Sequence, residues 1–160
     1  MNKKSFCVAN WKMNKNIDES INFLNELKGK DLSISDSRII ICPSFISLGI
    51  NHEKNNKINF GAQNVASFEK GSFTGEISVN MLENINCEWV IIGHSERRTL
   101  FEEKDIDVAN KMEIIYNSSM CPILCIGESL EQKNNNKTAI ILETQIQSAL
   151  SKIDFNIKKD

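Results

Sequence analysis

At 160 residues, with 41% hydrophobic and 25% charged side chains, the chain has the size and composition of one soluble globular domain, and a single core spanning residues 1–160 is expected. A net charge of -2 and a pI near 5.8 supply no basic field to draw nucleic acid or an anionic membrane. The basic N-terminus carries an apolar run of only about five residues, too short for a secretory signal or a membrane span, so a cytoplasmic protein is expected.

The first apolar run, Phe6 to Ala9, reads as a strand and is followed at once by the polar residues Asn10 and Lys12. Ile17, Ile21, Leu24 and Leu27 then fall on one buried helical stripe, opened by an Asn16/Glu19 capping box and stopped by Gly29. A second strand spans Ile39 to Cys42, with a short helix starting near Ser44, and His52 sits in a charged, solvated loop. The third strand, Ile58 to Ala62, leads into Gln63 and Asn64 and a long loop from Ser67 to Ser78, where another short helix begins. Strand four runs from Trp89 to Ile92. Thr99-Leu100-Phe101-Glu102 resembles a capping box ahead of a helix with Val108, Met112 and Ile115 on its buried side. Strand five is expected over Ile123 to Ile126, followed by Glu128, an asparagine loop at 134–136, and a last helix burying Leu142, Ile146, Ala149 and Ile153.

These strands are continuously apolar instead of alternating, the pattern of a parallel sheet covered by helices on both faces. Strand and helix alternate five times at a spacing that permits right-handed βαβ crossovers. Counting alone would suit an open, doubly wound sheet of flavodoxin type. The five cysteines lie in or beside apolar runs without CxxC spacing and are expected to be reduced, buried thiols.

In a parallel α/β fold the ends of the strands share one rim, so Asn10, Lys12, Gln63, Asn64, His94, Ser95, Glu96 and Glu128 can converge there. Lys12 must either reach water or meet an anion, and a phosphate would serve. His94 follows Gly93 at a helix start, a position that disfavours imidazolium and leaves a neutral ring able to donate one hydrogen bond. Read singly, Lys12 also fits an ordinary rim lysine, Asn10 a turn former and His94 a structural histidine. No GxGxxG, Walker loop, HExxH or Gly-x-Ser-x-Gly pattern is present.

Ala9-Asn10-Trp11-Lys12-Met13-Asn14 resembles the first-strand motif of the triosephosphate isomerase family, and Val90 to Arg98 its fourth-strand motif. Gly61-Ala62-Gln63-Asn64-Val65, Gly71 to Ser78 and Cys121 to Glu128 are similar to its third strand, the following loop and its fifth strand, in family order. The resemblance implies a (β/α)₈ TIM barrel, present here as about five parallel βα units. It implies interconversion of dihydroxyacetone phosphate and glyceraldehyde 3-phosphate through an enediolate, in glycolysis and gluconeogenesis, with no cofactor and no metal. Asn10 and Lys12 would bind substrate. Lys12 and His94 would be catalytic, His94 in the neutral-imidazole role for which this family is itself the standard case. Ser95 and Glu96 would support them, Glu96 as the charge partner of Lys12. Thr74 would lie in a loop that enters a second subunit, implying a homodimer, and so long a loop inside a compact domain is usually functional.

The sequence contains no match to the family's Tyr-Glu-Pro-Val-Trp segment with the glutamate base, to the lid after it, or to the glycine-rich phosphate turns of the last strands. Glu96 is expected to be engaged with Lys12, and Glu128 to be structural. The chain alone is therefore expected to be nearly inactive, with two open sheet edges that promote self-association. The alternative is a non-catalytic fragment or binding module keeping part of a triose-phosphate site.

Overall fold

A computed structural model describes residues 5–32, 37–50 and 58–155; His52 lies outside the described residues. The strands are β1 (Phe6–Asn10), β2 (Arg38–Cys42), β3 (Ile58–Ala62), β4 (Trp89–Ile92) and β5 (Cys121–Leu124). The helices are α1 (Ile17–Lys28), α2 (Phe45–Leu48), α3 (Val79–Asn84), α4 (Ser95–Leu100), α5 (Asp105–Tyr116), α6 (Leu130–Asn134) and α7 (Thr138–Leu150). All four strand pairings are parallel, and the sheet order is β1-β2-β3-β4-β5. A doubly wound sheet reverses its order at a switch point. This one never does, so successive crossovers stack helices on a single face and the five βα units form a half-barrel.

The helix-covered face holds two clusters. Trp11, Leu24, Ile41 and Ile58 lie under α1, while Ala62, Val90 and Ile92 meet Leu48, Leu82, Val108, Met112, Ile115 and Ala149 from the other helices. The inner face holds Ile40, Cys42 and Ile91 with Trp89, Ile123 and Cys125, all from strands or the residue after one. The continuous apolarity of the strands thus has a different cause from helices on both sides: the inner face curls onto itself. Phe6 of β1 and Trp89 of β4 bring their ring centroids within 5.3 Å. In a flat sheet those strands would stand roughly 14 Å apart, given a spacing of about 4.8 Å.

Curling leaves the margins open. β1 and β5 have no outer partner among the described residues, and on the inner face of β1 Phe6 is 49% and Val8 40% exposed. Ile17 and Ile21, expected to be buried, are exposed for the same reason. Of the expected stripe only Leu24 and Leu27 meet the core, beside Phe23 and the buried Ser20, because no helix among the described residues flanks α1 beyond the β1 edge. Cys7 and Cys121, on the edge strands, are exposed against expectation, whereas Cys42 and Cys87 are buried and Cys125 is intermediate. Within α7, Ala149 is fully buried, Ile146 is exposed, and Ile153 lies past the helix end but packs on the core.

The Asn16/Glu19 capping box forms in both directions, with Gly29 as C-cap, and Ser44 and Ser78 are N-caps. The Thr99–Glu102 box does not form. Thr99 Oγ1 instead donates to Ser95 O inside α4, Glu102 takes a positive φ of 55°, and α5 starts after Lys104, whose N–H donates to the Asp107 carboxylate at 2.9 Å. β5 begins two residues earlier than expected because its register is set by β4, with Trp89 opposite Cys121 and Ile92 opposite Leu124.

Candidate active site

Asn10 ends β1, and its Oδ1 accepts from the Lys12 backbone N–H at 3.0 Å. That local bond turns the chain and holds Lys12 at φ 54°, a left-handed conformation that an L-residue keeps only when its surroundings over-determine it. Gln63, just past β3, supplies the second restraint. Its Nε2 donates to Lys12 O at 2.8 Å and to Cys42 O at 3.0 Å, tying together the chain ends after β1, β2 and β3.

So restrained, Lys12 extends its ammonium to Glu96, with Nζ 2.7 Å from Oε1. The bond from Lys12 holds the Glu96 carboxyl below its ordinary range; partial desolvation opposes it, and the Lys12 charge adds to it. Both side chains are about half exposed, at 51% and 45%, so the pair is open to an incoming anion.

Gly93 follows β4 with φ +68°, and a Cβ there would meet Cys125 O at 3.0 Å. Arg98 Nε donates to Gly93 O at 2.9 Å while its Nη1 pairs with Asp105 at 2.5 Å. This turn makes His94 the N-cap of α4, where Nδ1 accepts from the Glu96 N–H at 3.3 Å. A ring nitrogen accepting from an amide carries no proton, so the ring's N–H is at Nε2. Glu96 Oε2, at 3.5 Å from Nδ1, is beyond ordinary hydrogen-bond length. The arrangement is therefore an ammonium, a carboxylate that positions it, and an imidazole whose N–H donor is at Nε2.

A cavity of about 470 Å³ adjoins His94, bounded also by Arg98 of α4, by Cys125 and Glu128 after β5, and by Gln145 of α7. Burial raises the Cys125 thiol, and Glu128 Oε1 accepts from Thr138 Oγ1 at 3.2 Å. Ser95 is exposed as the first residue of α4. Thr74 stands apart on an exposed loop that is closed at its base by Ala66 N–H to Ile77 O at 2.8 Å and braced by Phe68 stacked on Phe73 at 4.0 Å. Among the described residues no group of His, Cys, Asp and Glu is placed to hold a metal, and no helix is long and apolar enough to cross a membrane.

Two features escaped sequence reasoning. Gln63 was visible as a rim residue, but not as the restraint on Lys12. Beneath the rim lies a buried cluster in which Glu103 Oε2 accepts from Arg97 Nε at 2.7 Å and from Lys111 Nζ, and Lys111 Nζ also donates to Asn64 Oδ1 at 2.8 Å. The available signal was Lys111 itself, a charge beside Met112 and one turn from Val108 and Ile115 on the buried side of α5.

The family model described as triosephosphate isomerase matches residues 5–159. A protein of Endomicrobium trichonymphae named triosephosphate isomerase is 41% identical over 151 residues, covering 93% of this chain and 60% of its own length. Those of Clostridium tetani and Finegoldia magna, with the same name, are 40% identical over 160 residues and 43% over 154. They cover 99% and 95% of this chain and 61% of their own lengths. The chain thus spans about 60% of the length of the curated relatives it matches. With the half-barrel and the Lys12–Glu96–His94 cluster at its strand ends, these matches establish that the chain belongs to the triosephosphate isomerase family.

Proposed function

We propose that this chain supplies the anion-binding and electrophilic part of a site that interconverts dihydroxyacetone phosphate and glyceraldehyde 3-phosphate through an enediolate, in glycolysis and gluconeogenesis. The observation that carries the reading is the convergence of Lys12 on Glu96, across 84 residues of sequence, beside a histidine whose free donor is Nε2–H. Lys12 and Asn10 bind the substrate, and the Lys12 ammonium balances its negative charge. His94 Nε2–H donates to the carbonyl oxygen and stabilises charge developing there, the kind of preorganised donor that accounts for much of enzymatic rate enhancement. Glu96 keeps Lys12 in place before substrate arrives, and Ser95 shapes the same turn. The chemistry asks for no cofactor or metal.

Proton abstraction needs a carboxylate beside the reacting carbon. Glu96 is engaged by Lys12 and Glu128 by Thr138, so neither stands ready. A positioned general base contributes about 10²–10⁴ in rate, and the chain by itself turns over substrate correspondingly poorly. Binding without turnover is the second reading, favoured by the engagement of both glutamates. The braced loop around Thr74 presents Phe68 and Phe73 to solvent and suits association with a second copy as a homodimer. Residues 1–160 make one partial TIM-barrel domain, and a cytoplasmic location fits the activity.

Titration calorimetry with 2-phosphoglycolate tests the site. Binding heat in the wild type that disappears in Lys12→Met and His94→Ala is expected; no heat in the wild type sinks the reading. An isomerase assay of the chain alone, and mixed with the remaining C-terminal portion of the Clostridium tetani relative, separates the two readings. Activity only on mixing identifies an enzyme half, and activity of the chain alone refutes the account of the base.

A further inference from the structure

We propose that Glu103, outside the rim, is a positioning residue for Lys12. The inference deepens the reading of Lys12 as the anion-binding group and rests on it only for its functional meaning. Glu103 begins no helix and reaches no cavity beside His94, yet its side chain is only 4% exposed and faces two cations, Arg97 and Lys111. Buried charges persist only when paired, so this carboxylate has a definite task.

The two cations lead to the two halves of the Lys12 cradle. Lys111 donates to Asn64 Oδ1 at 2.8 Å, and the preceding residue, Gln63, donates to the Lys12 carbonyl at 2.8 Å. Arg97 follows Glu96, which receives the Lys12 ammonium at 2.7 Å. One Glu103 oxygen, Oε2, therefore stands at the junction of both routes. The first ends on the backbone of Lys12, the second on its side chain. A further bond, from Glu103 N–H to Arg97 O at 3.1 Å, locks the turn between α4 and α5, so that Arg97 cannot shift without moving Glu103.

The geometry has a physical consequence. Lys12 is held at positive φ by bonds from Asn10 and Gln63, a conformation with no support of its own. If Glu103 loses its charge, Lys111 and Arg97 have one neutral partner between them and seek others. Asn64 and Glu96 are the residues those movements reach. A residue that merely stabilised α5 would lower the melting temperature and leave the environment of Lys12 unchanged once folded.

Competitive amine labelling of the folded chain with acetic anhydride, read by mass spectrometry, reports that environment. The ion pair with Glu96 shields Lys12 Nζ, and the exposed Lys70 and Lys133 serve as internal references. Glu103→Gln is expected to raise Lys12 labelling relative to the references about threefold or more, within the range by which coupled networks modulate a distant site. Asn64→Ala, which strands no buried charge, is expected to raise it in the same direction and decides the question if Glu103→Gln fails to fold. Ile115→Val, a fully buried change on the same helix, is the structural control and should leave the ratio unaltered. An unchanged ratio in Asn64→Ala or in folded Glu103→Gln overturns the proposal, as does an equal rise in Ile115→Val. Protection of wild-type Lys12 by 2-phosphoglycolate tests the anion-binding reading separately. Its absence beside a shifted ratio leaves the positioning of Lys12 supported and removes only that reading.

Discussion

Replacing Gly93 by alanine probes the turn that presents His94. At φ +68° an L-residue costs about 1–2 kcal/mol in the left-handed region. The new Cβ would stand 3.0 Å from Cys125 O, 3.2 Å from Arg98 Nη2 and 3.3 Å from Val108 Cγ2. The first of these is backbone at the end of β5, held by Cys125 N–H to Ile92 O at 2.9 Å, and cannot swing aside like a side-chain tip. Overpacking of this kind adds about 1–3 kcal/mol, so a loss of about 2–5 kcal/mol is expected for Gly93→Ala. Gly49 is the matched control. It caps α2 at φ -80°, and its Cβ would meet nothing within 4 Å, so Gly49→Ala should be neutral or stabilise by about 0.4–1 kcal/mol. Urea denaturation of the three proteins at one concentration, followed by circular dichroism, makes the comparison. A Gly93→Ala loss below about 0.5 kcal/mol, the size of an ordinary surface substitution, would show that the turn is not tightly held and refute the account of how His94 is presented.

Three further outcomes are expected. Burial pushes the Glu103 carboxyl up, but the bonds from Lys111 and Arg97 together with their charges outweigh it and hold the folded value below the ordinary one. Its stabilisation is thus present above the unfolded value near about 4.3 and lost as pH falls through the folded value; Glu103→Gln should cost about 3–5 kcal/mol at pH 7 and flatten the acid limb of the stability profile, and an unchanged limb contradicts this. Iodoacetamide at pH 8 should alkylate exposed Cys7 and Cys121 quickly and leave Cys42 and Cys87, pushed up chiefly by burial to about 12 and about 11, intact until denaturant is added; equal rates for Cys42 and Cys7 would sink this. The open β1 and β5 edges should make the isolated chain self-associate in sedimentation velocity, with Val8→Lys on the exposed inner face of β1 shifting it toward smaller species, whereas a monodisperse wild-type monomer would contradict the role given to the edges.

Much of the scaffold was legible in the residues because its causes are local. Short, mostly apolar runs placed all five strands, with only the fifth displaced by its register against β4. Asn16 and Ser78 marked helix starts because a capping side chain acts within three residues of itself, and Ser44 marked one by its extended backbone without a side-chain cap bond. The Thr99–Glu102 pattern misled because its hydroxyl had a competing acceptor inside α4, Ser95 O. The exposure of Ile17, Ile21, Cys7 and Cys121 was invisible because burial depends on what lies across a sheet edge, and a hydrophobic stripe carries no record of its neighbour.

The site divides in the same way. Lys12 and His94 were visible as polar residues at the ends of strands, each open to a bland reading by itself, and the order of motifs identified the family. Sequence alone therefore determined the alternation of elements, the chemistry available at the rim and the lineage. Only the tertiary structure decided that the sheet curls onto its own inner face, that Gln63 restrains Lys12, and that Glu103 joins the two routes to it. Those are contacts between groups many residues apart, formed when curvature and crossovers bring strand ends together, and neither propensity nor periodicity encodes a distance across that rim.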